Sequence, residues 1–370
     1  MKSNVRLVGA LILANATLPN LEAQQPARAT DFPEAIVAET RTLEFHVAQP
    51  TTGSLQEQVR AGLAELVRKN DNATLVKLRV FARVSALDAV RASVRRALAD
   101  MKTPLPALAL VGVAGFPDST QLVEIESTAH RGRASNPNGL AFIAGLASPT
   151  GDRTIAGLAR VAKEAGVPSE NVSRISCFYE RPDQAAPARN AIAATFPQAE
   201  ASFVFSYAAS AQPLIECEAM ARLAVRPSHN VEYFNLPGMT ASPNYSHAAL
   251  VAVPSLVFTG TQTVGASDAA LEAGFARISA AVARVGARLD HIVMGDSYWL
   301  SESARDRFRV VRAKYFNGTV PAATGVFFAG LSPADAVAAL EAVVILPQTG
   351  GGDVTLLLAN IPTSRRYATP

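Results

Sequence analysis

Val123-Glu124-Ile125-Glu126-Ser127-Thr128-Ala129 alternates apolar and polar residues, and it returns as Ile215-Glu216-Cys217-Glu218-Ala219-Met220-Ala221. A third, weaker version is Ala339-Leu340-Glu341-Ala342-Val343. Alternation of this kind reads as a β-strand with one face buried. Upstream of each version the same order of patterns recurs, so internal repetition is the first thing to test. Ahead of the first stand the strand Thr42 to Gln49, a turn at Pro50-Thr51-Thr52-Gly53, and a Ser54/Glu57 capping box. Leu55, Val59, Leu63, Leu66 and Val67 then recur at helical spacing. A strand over 75–81 follows, then a second helix with Leu87, Val90, Val94 and Leu98 on one face, for which Ser85 and Asp88 are the expected caps. Two strands, Leu108 to Val113 and Gln121 to Thr128, close the unit.

The second unit repeats this order through Leu140 to Gly145, a helix carrying Ile155, Leu158 and Val161, the strand Val172 to Tyr179, and a helix over Ala185 to Thr195. The third does so through Ser255 to Gly260, a helix with Leu271, Phe275, Ile278 and Val282, and the strand His291 to Leu300. The marks Ala48 to Glu126, Gly145 to Glu218 and Gly260 to Glu341 lie 78, 73 and 81 residues apart. Three β-β-α-β-α-β-β units are therefore expected, an α+β fold. Each unit has helices on one sheet face only, and the apolar sets Val123-Ile125 and Phe203-Phe205 are expected on the other face. Three sheets around an axis would cover one another, so one chain would form an intramolecular pseudo-threefold trimer and remain a monomer. The Pro/Gly-rich connection from Leu223 to Ser255 is expected to supply the third unit's first strand.

The expected organisation is a signal peptide over 1–29, units over 30–133, 134–226 and 227–350, and a tail over 351–370. Lys2 and Arg6 precede an apolar run from Leu7 to Ala14, with small residues after it, as in an exported protein. The run is too short to span a bilayer, so no membrane association is expected of the mature form. The 370 residues are 49% hydrophobic and 18% charged, with net charge +3, and no basic run interleaved with aromatics points to nucleic acid. Five dispersed histidines and two cysteines support neither a metal nor a cofactor. Cys177 and Cys217 read as buried thiols on neighbouring strands, with a disulfide left open.

Over almost the whole mature chain these patterns resemble the RidA (YjgF/YER057c/UK114) family, whose fold is chorismate-mutase-like. The stretches that carry the likeness are GDRTIAGLARVAKEAG (151–166), TLVKLRVF (74–81), VEIESTA (123–129), CEAMARL (217–223) and Tyr245-Ser246-His247-Ala248. The resemblance implies homotrimer-like clefts between units, a small-molecule ligand, and hydrolysis of enamines or imines without metal or organic cofactor. It also implies an arginine after a Pro-Ala pair, forked against a substrate carboxylate. That position holds Leu108 in the first unit, Glu200 or Ala201 in the second and Ala323 in the third, so weak or absent deaminase activity is expected. A short match at 321–325 resembles chorismate-hydrolysing enzymes of the superfamily, and a partner-binding protein without catalysis is the other alternative.

By the same resemblance Glu124, Glu216 and Tyr245 are the candidate catalytic residues, and Gly145, Gly260 and Glu200 the candidate ligand-binding ones. Solvated strand positions for the glutamates and tight-hairpin roles for the glycines are the competing readings. Arg131 and Arg133 are candidate stand-ins for the absent arginine.

Overall fold

The computed structural model describes residues 31–70, 73–131, 135–207, 212–239, 242–316 and 320–346. The expected signal peptide and tail, and Arg133, lie outside them. In chain order the elements begin with β1 (Ala35–Glu39), β2 (Leu43–Val47), α1 (Leu55–Lys69), β3 (Thr74–Arg83), α2 (Leu87–Asp100), β4 (Ala107–Val113) and β5 (Val123–His130). The second unit is β6 (Leu140–Ser148), α3 (Gly151–Glu164), β7 (Val172–Tyr179), α4 (Ala185–Thr195), β8 (Glu200–Phe205) and β9 (Ile215–Arg222). After β10 (Val231–Phe234) and β11 (Ala248–Val251), the third comprises β12 (Ser255–Thr259), β13 (Gln262–Val264), α5 (Asp268–Ala283), β14 (Ile292–Trp299), α6 (Glu302–Phe316), β15 (Ala322–Phe327) and β16 (Ala338–Ile345).

Local chemistry explains most of these boundaries. Ser54 and Glu57 form the reciprocal box at the start of α1, with the Ser54 N–H donating to Glu57 at 2.7 Å. Ser85 and Asp88 do not cap α2: a 3₁₀ turn over Val84–Ala86 precedes it, the N-cap is Ala86, and its side chain has nothing to offer.

The sheets cross the expected unit boundaries. The first sheet is β2-β5-β3-β4, the second β10-β11-β6-β9-β7-β8, and the third β1-β12-β16-β14-β15, with β13 also on β16. The connection from Leu223 to Ser255 therefore does not give the third unit its first strand. It provides β10 and β11, and β11 pairs antiparallel with β6 of the second unit. The third unit's edge is instead filled by β1, from the start of the described chain, Ala35 opposite Thr259. A strand edge offers unpaired N–H and C=O groups to whichever segment reaches it. Here the segment preceding each of two units reaches the neighbour's edge.

Val123, Ile125 and Phe203 pack under their own helices, contrary to the face expected for them. What lines the other face is a shared interior to which all three sheets contribute. One end of it is apolar, built on Leu43, Phe45, Phe142, Leu256 and Phe258. The other end is aromatic: Phe81 and Phe178 meet edge-on with centroids 5.7 Å apart, and Phe328 lies against both. Between these layers sits a buried ionic one. Arg79 bonds Glu126 (2.8 Å), Glu218 (2.5 Å) and Ser176 (2.8 Å) and reaches Asp296 at 3.2 Å. Lys77 pairs with Glu341, and Arg174 lies 3.6 Å from Glu126. Although burial opposes it, Arg79 and Arg174 draw Glu126 down to about 2. Burial raises Asp296 well above the usual carboxylate range, with Glu218 adding to it.

Candidate functional site between the second and third units

Glu126, Glu218 and Glu341 stand opposite Arg79, Ser176 and Asp296 in their respective sheets, so the three final strands are in equivalent register. Two residues upstream the same register yields Glu124, Glu216 and Ala339. The parallel pairings align Leu108, Ala201 and Ala323 as the second residues of β4, β8 and β15, which resolves the Glu200 or Ala201 alternative in favour of Ala201.

Glu216 is where elements of two units converge. Its Oε1 accepts the N–H of Gly325 at 3.3 Å, from the edge strand β15 of the third unit. Gly145 of β6 lies directly against the carboxyl, and a Cβ at Gly145 would collide with it. The backbone allows this approach because the β6–β9 register shifts between Ile143 and Leu146. The N–H of Gly145 donates to the Thr324 hydroxyl at 3.1 Å, so both units are joined at the same point. Tyr245 enters from the segment before β11, its ring edge-on to His247 at 6.0 Å. The strand exchange brings it here, since β11 belongs to the second sheet and Ser246 bridges to Ala322 of the third. Glu216, Tyr245 and Gly145 are thus brought together as one site.

The electrostatics of this site follow from enclosure. Burial, with Glu218 and Glu180 adding to it, pushes the Glu216 carboxyl up to about 8, while the Gly325 N–H and the Arg309 guanidinium pull the other way. Burial also raises the Tyr245 phenol, and Glu216 raises it further. At neutral pH the site therefore presents a protonated carboxyl and a neutral phenol, able to donate hydrogen bonds or a proton.

The other predicted residues sit elsewhere. Glu124 occupies the equivalent position in the first unit and is likewise raised to about 8 by burial, but Gln121 holds its carboxyl. Glu124 is buried and Glu216 half-buried, so neither is a fully solvated strand residue. Glu200 spans the first and second units in an ion network: it accepts from the Val47 N–H (2.6 Å) and Lys69 (2.9 Å) and pairs with His46 (3.0 Å). Although burial opposes it, those contacts draw its carboxyl down to about 2 and use both oxygens. Gly260 approaches backbone: a Cβ there would stand 2.9 Å from the Leu108 carbonyl, which instead accepts the Thr261 N–H at 3.0 Å. Arg131 is tied to Glu44 at 2.9 Å and stands in for no clamp. Arg309, Arg312 and Trp299 were not picked out from the sequence. The signal that could have found them is an arginine recurring on the second helix of every unit. Among the described residues no group of His, Cys, Asp and Glu side chains is arranged to hold a metal.

No family model matches the chain, and no curated protein does. Solved structures are similar to about a third of it. A member of the YjgF/YER057c/UK114 family from Mycobacterium tuberculosis is 23% identical over 31% of this chain and 98% of its own, with a TM-score of 0.23. A protein of the conserved Rid family from Yersinia pestis is 17% identical over 32% of this chain and 100% of its own, at TM-score 0.29. A YjgF-family protein from Neisseria meningitidis is 21% identical over 33% and 100%, at TM-score 0.24.

Proposed function

We propose that the chain is a divergent RidA-like protein, three fused units forming an intramolecular pseudo-trimer, which binds a small metabolite in the cleft between its second and third units. The observation that carries this reading is Glu216: a carboxyl kept protonated at neutral pH, beside Tyr245 and between the backbones of Gly145 and Gly325. A fold has little reason to keep such a group at a half-buried position where an apolar residue would be more stable, and perturbed acids concentrate at functional sites. The clefts have diverged separately. The second-to-third keeps acid, tyrosine and glycine, the first-to-second ties its acid to Gln121, and the third-to-first has Ala339 and a closed backbone contact at Gly260.

The chemistry the cleft could perform is imine hydrolysis: water adds to the C=N carbon and ammonia leaves, with Glu216 lending its proton to the nitrogen and recovering one from the water. Leu108, Ala201 and Ala323 occupy the place where the family resemblance expects the carboxylate-holding arginine, so this activity is weak or absent and binding dominates. The mature protein is exported, a reading supported by the N-terminal sequence and by the Cys177–Cys217 disulfide, since such bonds persist in oxidising compartments.

Thermal-shift measurements against small carboxylic acids, aromatic acids and amines test the reading. Saturable stabilisation by at least one class, lost on Tyr245→Ala, is expected. Stabilisation by none would leave a structural protein. An imine-hydrolysis assay, following loss of semicarbazone from an amino-acid oxidase product, should show little acceleration. Gel filtration should return a particle of one chain mass, and a stable three-chain particle would contradict the fused trimer.

A further inference from the structure

We infer that Arg309, reaching the cleft from α6, decides which ligands enter, by holding a carboxylate at the mouth while the rest of the ligand lies against Glu216 and Tyr245. The inference rests on reading that cleft as a ligand site.

An arginine recurs at one place in all three units: just after a buried residue on the second helix, as Val90-Arg91, Ala188-Arg189 and Phe308-Arg309. These arginines follow the equivalent strand residues Ala82, Tyr179 and Trp299 by nine, ten and ten positions. Each guanidinium lies over an aromatic ring: Arg91 over Phe32 at 5.1 Å, Arg189 over Phe203 at 4.9 Å and Arg309 over Trp299 at 5.9 Å. A ring face orients the guanidinium without using its in-plane N–H donors, which stay available for a planar anion.

What differs between the units is what the arginine meets. Arg91 is neutralised by Asp31 at 2.8 Å. Arg189 acts on Glu124, lowering its pKa against burial, but that carboxyl is already held by Gln121, and Phe203 fills the strand position that is Gly325 in the third unit. Arg309 has no carboxylate within ion-pairing distance among the described residues; Glu302 and Asp306 on its own helix are turned to Arg305. One turn further along, Arg312 donates to the Asn244 carbonyl at 2.7 Å, immediately before Tyr245. Burial, and then Arg309, push Arg312 down to about 10.

Contact continuity places this charge at the Glu216 site. The Trp299 ring under Arg309 lies against Gly325, where a Cβ would run into the indole. The Gly325 N–H in turn points at Glu216. The Arg309 guanidinium is exposed, whereas the Glu216 carboxyl is half-buried against Gly145 and Gly325. An organic acid can therefore be gripped by two parallel N–H···O bonds at Arg309, with Glu216 beside it in the uncharged acid form. A strand-borne arginine at the Ala323 position would hold the anion beside the reacting carbon. A helix-borne one holds it at the rim, and so fits a longer acid.

Isothermal titration of the mature protein with benzoate and 3-phenylpropionate, each beside its neutral amide, tests this. The acids should bind at least tenfold more tightly than the amides. Arg309→Gln should weaken the acids by about tenfold or more and leave the amides unchanged. Arg309→Lys should recover only part, and Arg189→Gln should change nothing. Because Arg309 is exposed, the variants should melt with the parent protein. Undiminished acid binding in Arg309→Gln, with loss in Tyr245→Ala, overturns the role of Arg309 and leaves the cleft standing. Absence of binding by every acid and amide overturns both.

Discussion

Replacing Glu216 with glutamine should stabilise the protein, by an amount that depends on pH. The carboxyl titrates near 4.5 when unfolded and at about 8 in the fold, so at pH 7 the folded chain keeps a proton that the unfolded chain would release, at a cost of about 3 kcal/mol. Glutamine is neutral throughout, has nearly the same shape, and its oxygen can accept the Gly325 N–H as Oε1 does at 3.3 Å. Its amide N–H₂, less well partnered than a carboxyl, returns about 1 kcal/mol. The net gain at pH 7 is therefore about 2 kcal/mol. Because the folded pKa is raised, the contribution of Glu216 is fully present below pH 4.5 and is lost as pH rises to about 8. The gap between Glu216→Gln and the parent should be near zero or slightly negative at pH 4, open through neutrality, and level off above pH 8. Urea titrations at pH 4, 7 and 8.5 measure it directly. A gap that stays constant with pH, or a variant less stable than the parent at pH 8.5, would refute the claim that Glu216 is folded as the neutral acid.

Glu124→Gln should show the same pH-dependent gain, because burial raises Glu124 to about 8 as well, yet leave ligand binding in the second-to-third cleft untouched. Arg79→Met should destabilise by about 3–5 kcal/mol in denaturant titrations, since it strands Glu126, Glu218 and Asp296 without their shared cation. Cys177 and Cys217 face each other across β7 and β9 and close a loop with a sequence separation of 40. The double Cys→Ser variant should lose about 4 kcal/mol by loop-entropy reasoning. Any imine hydrolysis the cleft supports should decline as pH rises through about 8, where Glu216 loses the proton it lends.

The helices and most strands were legible because their signals are local. Apolar spacing in Leu55 to Val67 marks α1, and the Ser54/Glu57 pair marks its start. The repetition was legible too, and from it came Glu216, Tyr245 and Gly145 as separate candidates. That they meet was not, because Tyr245 reaches Glu216 only through the pairing of β11 with β6. Nor was Arg309, which the sequence presents as one of several arginines on α6 and which acquires a role from Trp299, Gly325 and Glu216 around it. Burial of Glu124 and Glu216 was missed for a related reason: alternation separates the two faces of a strand but does not say which face a neighbouring sheet will cover.

Sequence by itself determined the α+β character and the order of helices and strands, since helix periodicity, capping and strand alternation depend on neighbours along the chain. Tertiary structure alone decided that β1 completes the third sheet and β11 the second, that Cys177 and Cys217 are bonded, and that Glu216 meets Gly145 and Gly325. Every strand edge displays the same backbone donors and acceptors, so the choice of partner is not written in a strand's own residues. It is made by which faces can be buried together and which charges can be paired once all three sheets have met.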